Sequence, residues 1–407
     1  MVIAKIAFRN IFRHRRRSLL TGLMMAGGCL LFSVFIGMVD GSYGLLIDMF
    51  TRDHTGHIQI HKKGYLDKPS IYKIIEDPEA VGKKIEVTPS VVSWTPRIYS
   101  PALAFAGRKT SGVRVMGIDP AREAETTRLL NKVKAGRFIS EEPSDEIVIG
   151  ERLSRVLKAG TGDEIALIAQ GVDGSIANGL FTVVGITGQA GSSFGGSTSY
   201  INIESARRFL SMPRGAHEIA VILTDQALAI STAKLISQSL NRNSDIFDVD
   251  PWQVVEKQFY LAMQADIKGN WLTIIVFTII IAIGVLNTVL MVILERTREF
   301  GVLKAIGTRP FQIFMLIILE TAFLALLSIV PGAAGGIAAN WLLSVYGITL
   351  PNPVDWGGFL FDTITAKITV RSILIPMAVI VFSALLVSIP PAIRAARIKP
   401  VDALRSQ

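Results

Sequence analysis

The sequence predicts a membrane α-helical protein with four transmembrane helices and a large α+β extracytoplasmic domain inserted between helices 1 and 2. Three observations predict it. Four long apolar runs carry almost no charge, the excess of basic residues sits in three short segments, and one long interval of mixed pattern separates the first run from the second. At 1.5 Å per residue, about 22 helical residues reach roughly 33 Å, enough to cross a hydrocarbon core of about 30 Å.

Residues 1–17 carry Lys5, Arg9, Arg13, Arg15, Arg16 and Arg17 and no acid. Lys5, Arg9, Arg13 and Arg16 recur at helical steps, and Ile3, Ala7, Phe8, Ile11 and Phe12 fill another side. That spacing predicts an amphipathic helix on the cytoplasmic leaflet. Helix 1 follows at 18–40, with Ser18–Val39 free of charge. The run passes Cys29 without interruption, longer than the apolar core of a cleaved signal, so a retained helix is expected. Cys29 is the only cysteine and has no partner for an internal disulfide.

The interval 41–269 is long enough for its own core. Alternation over Gly56–His61 reads as a strand, and so do Glu146–Ile149, Ile165–Ala169, Phe181–Ile186 and Glu218–Leu223. Glu151–Lys158, Ile203–Leu210 and Ala227–Leu240 read as helices, and Gly171–Gly179 as a glycine-rich hairpin. Pro251–Lys268 reads as a polar helix running directly into helix 2. His54, His57 and His61 cluster in sequence. His57 and His61 would share a strand face about 13 Å apart, too far for one metal ion, so they are expected as strand-face or surface histidines.

Helix 2 is placed at 270–294, helix 3 at 311–346 and helix 4 at 372–393, with an extracytoplasmic loop at 347–371 and a tail at 394–407. Glu320 is the one charge in helix 3. It is either a satisfied polar group at a helix contact or a functional intramembrane acid. Pro331, Gly332, Gly335 and Gly336 in the same helix are expected to permit close packing or a hinge. The first 17 residues, the 295–310 turn and the tail together hold 14 basic and 3 acidic residues, against 28 basic and 30 acidic elsewhere. The positive-inside rule therefore places both termini and that turn in the cytoplasm. It also accounts for the net charge of +9 without nucleic acid, since no basic domain remains to hold a strand. There is no G-x-x-x-x-G-K-[ST] or H-E-x-x-H, and no catalytic, cofactor or metal site is expected in the chain itself.

The turn between helices 2 and 3, Glu295–Ile313, is short, basic and helix-forming. It is either a solvated connector or a docking knob. Within it, Arg298-Glu299-Phe300-Gly301-Val302-Leu303-Lys304-Ala305-Ile306-Gly307 resembles the R-E-I-G-x-x-[KR]-A-[IL]-G coupling segment of FtsX/LolC/MacB-type ABC transporter permeases, with Phe300 at the usual isoleucine. Pro391–Arg405 resembles the ending P-A-x-R-A-A-R-x-x-P-x-[ED]-A-L-R of the same family. Gly117–Pro120, Ala135–Phe138, Ile149–Leu153 and Val183–Ile186 resemble successive landmarks of its MacB-type periplasmic domain.

The resemblance covers essentially the whole chain and is nearest to LolC/LolE-like lipoprotein-releasing permeases. It implies a bacterial inner-membrane subunit that works as a homo- or heterodimer with partner ABC ATPases, which bind the ATP and Mg. Glu299 would be the principal ATPase contact. Lys304 and Arg309 would support it, Gly301 and Gly307 would permit close approach or helix termination, and Phe300 belongs to the same coupling set. The implied function is mechanotransmission that releases lipoproteins. MacB-like efflux of periplasmic substrates and FtsX-like regulation of a cell-wall hydrolase are the alternatives. A periplasmic carrier or adaptor is a further implied partner. The proline of the LolC carrier-binding hook has no counterpart in Gln170–Gly179.

Overall fold

The computed structural model describes residues 2–13, 15–188, 197–242, 244–356 and 359–399. Pro400–Arg405 of the C-terminal motif lie outside them. In chain order, α1 (Val2–Arg13) and α2 (Arg15–Phe50) are followed by a π-helical turn, Thr51–Thr55, and β1 (Ile58–Lys62). Then come α3 (Pro78–Glu86), β2 (Val91–Ala106), β3 (Lys109–Ile118), α4 (Pro120–Thr126), β4 (Val133–Gly136), β5 (Glu146–Gly150) and α5 (Glu151–Leu157). β6 (Glu164–Gln170), β7 (Ile176–Thr187), β8 (Thr198–Asn202), α6 (Ile203–Phe209), β9 (Glu218–Leu223), α7 (Ala229–Leu240) and β10 (Phe247–Pro251) complete the inserted domain. The rest is α8 (Trp252–Val255), α9 (Lys257–Glu295), α10 (Thr297–Ala305), α11 (Pro310–Tyr346), β11 (Ile348–Trp356), β12 (Phe359–Ile364) and α12 (Val370–Arg397).

The chain divides into two compact units. One comprises Met1–Tyr43, Gln264–Leu350 and Thr363–Gln407, and the other Gly44–Met263 with Pro351–Asp362. Four helices are long and apolar enough to cross a membrane: Ser18–Thr55, Lys257–Glu295, Pro310–Tyr346 and Val370–Arg397. Helix 1 thus continues beyond the charge-free run, because a helix ends where capping or packing stops it, not where hydrophobicity does. The expected polar helix Pro251–Lys268 is broken: α8 stops at Val255, and Glu256 leaves the helical conformation at φ −101°, ψ 50° before α9 begins. The expected loop at 347–371 contains the two-stranded sheet β11–β12.

The second unit is built on a mixed sheet in the order β10-β1-β9-β2-β3-β8-β5-β7-β4, with β6 bridging β2 and β7. β3–β8 and β5–β7 are parallel pairs. Its main core gathers Ile98, Val115, Ile149, Leu167, Phe181 and Ile201, drawn from six strands. The family landmarks have local causes. In Gly117–Pro120, the Asp119 carboxylate accepts from the Ala121 and Arg122 N–H groups at 3.1 and 3.2 Å, and Pro120 starts α4. Gly136 and Gly185 face each other across β4 and β7. A Cβ on Gly136, at φ +77°, would lie 2.2 Å from the Val184 carbonyl oxygen, and one on Gly185 would lie 2.1 Å from that of Arg137. Only glycine lets these strands approach so closely. The hairpin is tighter than the glycines suggest: Gln170 already pairs with Ile176.

Beneath β2 lies a buried charged network. Arg97 donates from Nη2 to Glu123 at 2.6 Å and from Nη1 to Glu218 at 3.1 Å. Thr95 and Thr127 also donate to Glu123, at 3.2 and 2.9 Å, and Tyr99 donates to Glu218 at 3.1 Å. His61 Nε2 stands 3.3 Å from Glu218. Of the two histidines expected on a strand face or at the surface, His61 lies on β1 and His57 just before it, and both are buried. β1 is covered because it pairs with β10 on one edge and β9 on the other. His57 Nδ1 accepts the Leu223 N–H at 2.9 Å, which fixes the ring neutral.

Burial, and then Arg52, lower the pKa of His57 from 6.5 to about 4. The unfolded chain thus binds a proton there that the folded chain refuses. Stability is complete above about pH 6.5 and falls as pH drops from 6.5 to 4, by about 3 kcal/mol from this group. Thermal unfolding of the full chain between pH 7 and 4.5 should show the decline, and His57→Gln should make it shallower.

Candidate functional site

The first unit packs α2, α9, α11 and α12 around a common apolar core that includes Met25, Val285, Val289, Ile317 and Ala384. α1 joins it: Ala7 is buried there, and Phe8 meets Phe323 edge-on with ring centres 5.8 Å apart. Along α11, Ser328, Gly332, Gly336 and Asn340 form a buried stripe at four-residue spacing. A Cβ on Gly332 would come within 2.7 Å of the Ala26 carbonyl oxygen, and one on Gly336 within 2.7 Å of Ser33 Cβ. The two glycines therefore bring the α2 and α11 backbones together. Asn340 closes the stripe by donating to the Ser33 carbonyl at 3.1 Å. Gly335 abuts Leu30, and α11 runs through Pro331, which is exposed, without interruption.

The coupling segment forms α10 and its flanks. Arg296 precedes α10 and is buried, with Nε 2.8 Å from Glu299 and Nη1 2.9 Å from Glu320. Its guanidinium also lies 5.2 Å from the Phe300 ring centre. Glu320 is thus an ion-paired group at a helix contact, the first of the two alternatives read from the sequence. It borders a small cavity with Ser18, Thr21, Thr288 and Thr321.

The six residues singled out for ATPase coupling do not share a surface. Phe300 is fully buried in the core with Ile293, Ile313 and Ala392, and Gly301 is buried beside it. Lys304 turns inward, donating from Nζ to the carbonyls of Ala396 at 2.9 Å and Ile398 at 2.7 Å. It caps the orphan carbonyls at the end of α12, where positive charge also suits the helix dipole. Gly307, at φ +101°, ends α10. The Thr308 N–H returns to the Leu303 carbonyl at 3.0 Å, and the Arg309 N–H is held by Gln312 at 2.9 Å. Glu299, Gly307 and Arg309 remain at the surface.

Sequence reasoning missed the most exposed apolar groups of the turn. Val302 is 48% exposed, Ile306 75% and Phe311 66%. Val302 and Ile306 stand four apart on the α10 face opposite Phe300, with Arg298 one turn earlier. The signal was available: an apolar pair on both faces of so short a polar helix means one face has another use. The outward face is thus apolar at its centre, with Arg298, Glu299 and Arg309 around it.

Residues 18–239 match the family described as the MacB-like periplasmic core domain, and residues 271–400 the one described as FtsX-like permease C-terminal. The lipoprotein-releasing system transmembrane protein LolC of Xylella fastidiosa (strain Temecula1 / ATCC 700964) is 23% identical over 337 residues, covering 78% of this chain and 78% of that protein. LolC of Neisseria meningitidis serogroup B is 21% identical over 335 residues, covering 77% and 78%. Among solved structures, the periplasmic region of MacB from Actinobacillus actinomycetemcomitans aligns with a TM-score of 0.37 at 14% identity, over 50% of this chain and 92% of that one.

The Arg296 arrangement makes a test of structure independent of any partner. Glu320→Leu leaves a buried guanidinium half-paired and should destabilise the protein by about 3–5 kcal/mol, whereas Arg296→Met with Glu320→Leu should recover most of the loss. Melting temperatures in detergent measure both. A double variant no more stable than the single one would refute the pairing.

Proposed function

The chain belongs to the ABC transporter permeases that join a MacB-like periplasmic core to an FtsX-like C-terminal unit, and on that premise we propose that it transmits the work of partner ATPases to release lipoproteins from the bacterial inner membrane. ATP and Mg are bound by the partner. Both termini and α10 face the cytoplasm, in keeping with the basic residues concentrated there. The chain pairs with a second permease subunit, identical or related.

The observation that carries the reading is the construction of the coupling turn. α10 offers Val302 and Ile306 outward and inserts Phe300 inward, into the core shared by α9, α11 and α12. A push on the outer face is therefore delivered to three spanning helices at once, since close-packed cores transmit displacement and do not absorb it. Arg296 ties the turn to α11 through Glu320, and Lys304 ties it to the end of α12. Docking is assigned to Val302 and Ile306, with Glu299 and Arg309 at the rim. Phe300, Gly301 and Lys304 hold the knob in place.

Lipoprotein release is the reading favoured by the LolC relatives, whose similarity extends over most of both chains. The task needs mechanical work: at about 0.8 kcal/mol per buried CH₂, one 16-carbon acyl chain holds on the order of 10 kcal/mol in the bilayer.

Ile306→Asp places a charge at the centre of the knob and should reduce the copurifying ATPase at least tenfold while the melting temperature stays within a few degrees. Glu299→Lys, at the rim, should have a smaller effect on binding and a larger one on coupling of hydrolysis to release. The assay is mass spectrometry of the complex purified from native membranes in mild detergent. Undiminished ATPase with Ile306→Asp overturns the docking assignment. Acylated lipoproteins in the purified complex support release, and an adaptor or outer channel in their place redirects the reading to efflux.

A further inference from the structure

The second unit contains a cavity of about 460 Å³ between β1, β2 and the segment that follows β1. That volume suits a small organic ligand. Its apolar wall is made by Tyr65, Leu66, Pro69, Ile71 and Pro101, and its polar groups include His61, Tyr99, Arg114, Glu218 and Glu256. Most of these are already committed. Glu218 is met by Arg97, Tyr99 and His61, and Arg114 has a partner of its own.

Glu256 differs. It is half-buried, and among the described residues its carboxylate has neither an ion-pair nor a hydrogen-bond partner. Burial, and then the charge of Glu218, raise its pKa. His61, whose Nε2 faces Glu218, likewise leaves Nδ1 without a partner. A carboxylate held against an apolar cavity, beside a second one, gains most from a cation. With Glu218 paired to Arg97, the Glu256 carboxylate is the charge left to repel an anion, and the rings of Tyr65 and Tyr99 on the cavity wall favour positive charge.

We propose that this cavity binds a small amphiphilic ammonium compound, with its cationic nitrogen on Glu256 and its apolar body against Tyr65, Leu66, Pro69, Ile71 and Pro101. The place of Glu256 gives the site a consequence. It is the single residue between α8 and α9, so a ligand that fixes its carboxylate also fixes the break at the head of the second spanning helix. The proposal does not depend on lipoprotein release or on ATPase docking.

The test uses the full chain in phosphatidylcholine nanodiscs and isothermal titration with 4-phenylbutylamine and 4-phenylbutyrate, which share a body and differ in charge. The amine should saturate one site per chain, with the acid at least tenfold weaker. Glu256→Gln, nearly isosteric, should weaken the amine at least tenfold with an unchanged melting temperature. Ser70→Trp, which fills the cavity from a lining position away from the acid, should abolish amine binding. No saturable amine binding, equal affinity for amine and acid, or amine binding that survives both variants overturns the proposal. Phosphatidylethanolamine added to the nanodiscs separates the sources: competition with the amine assigns the natural ligand to a lipid headgroup, and its absence to a soluble amine.

Discussion

One guanidinium organises the end of the helical unit where α9 meets α10. Arg296 sits at the junction of α9 and α10, buried, where an unpaired charge would cost several kcal/mol. It is tolerated because Glu299 and Glu320 approach from two sides and Phe300 lies near the guanidinium. The result is directional. The pair to Glu299 fixes the first turn of α10, the pair to Glu320 fixes that turn against α11, and Phe300 then enters the core. Remove the arginine and α10 keeps its helical propensity but loses the reason to lie where it does. The exposed pair Val302 and Ile306 faces outward only because Phe300 and Arg296 are held inward.

Much of the helical architecture was legible because charge is a blunt signal. A run of 22 apolar residues admits few other uses, and all four such runs are long helices. The ends were less legible. α2 continues through Asp40, Gly41, Ser42 and Gly44 to Phe50, residues that read as a departure from the membrane. Their helical state is set by neighbours far along the chain. The Ser42 hydroxyl reaches the Thr365 carbonyl, Thr369 donates to Asp40 at 2.8 Å, and Arg371 stands 3.8 Å from it. No local pattern encodes a contact more than 320 residues away.

The coupling turn shows the same division at finer scale. The motif singled out residues but not the direction each one faces. On a helix of nine residues both Phe300 and Val302 are apolar, so periodicity alone supports either face. The resemblance gave Lys304 a supporting place at the ATPase contact, and a motif carries no direction. Only the arrival of the α12 carboxyl end beside it shows where its charge goes. In the other unit, alternation around His57 and His61 suits a strand face or the surface but does not say whether that face is wet. The pairing of β1 between two neighbours and the buried network around Arg97 leave both buried.

The glycine stripe between α2 and α11 sets a limit on how the membrane unit can rearrange. At Gly332 the α11 backbone lies directly against the Ala26 carbonyl, at Gly336 the Ser33 side chain fills the space a Cβ would take, and Asn340 pins the far end to Ser33. A slide by one residue along this seam would drive Cβ atoms from neighbouring positions into main chain. The seam therefore behaves as a keel, rigid against sliding. α9 is the least buried of the four long helices: it offers Ile281, Val285, Val289 and Ile293 to the core and leaves Ile275, Ile279, Ile283 and Met291 exposed. Any rearrangement that keeps the seam in register falls most readily on the helix least enclosed by its neighbours.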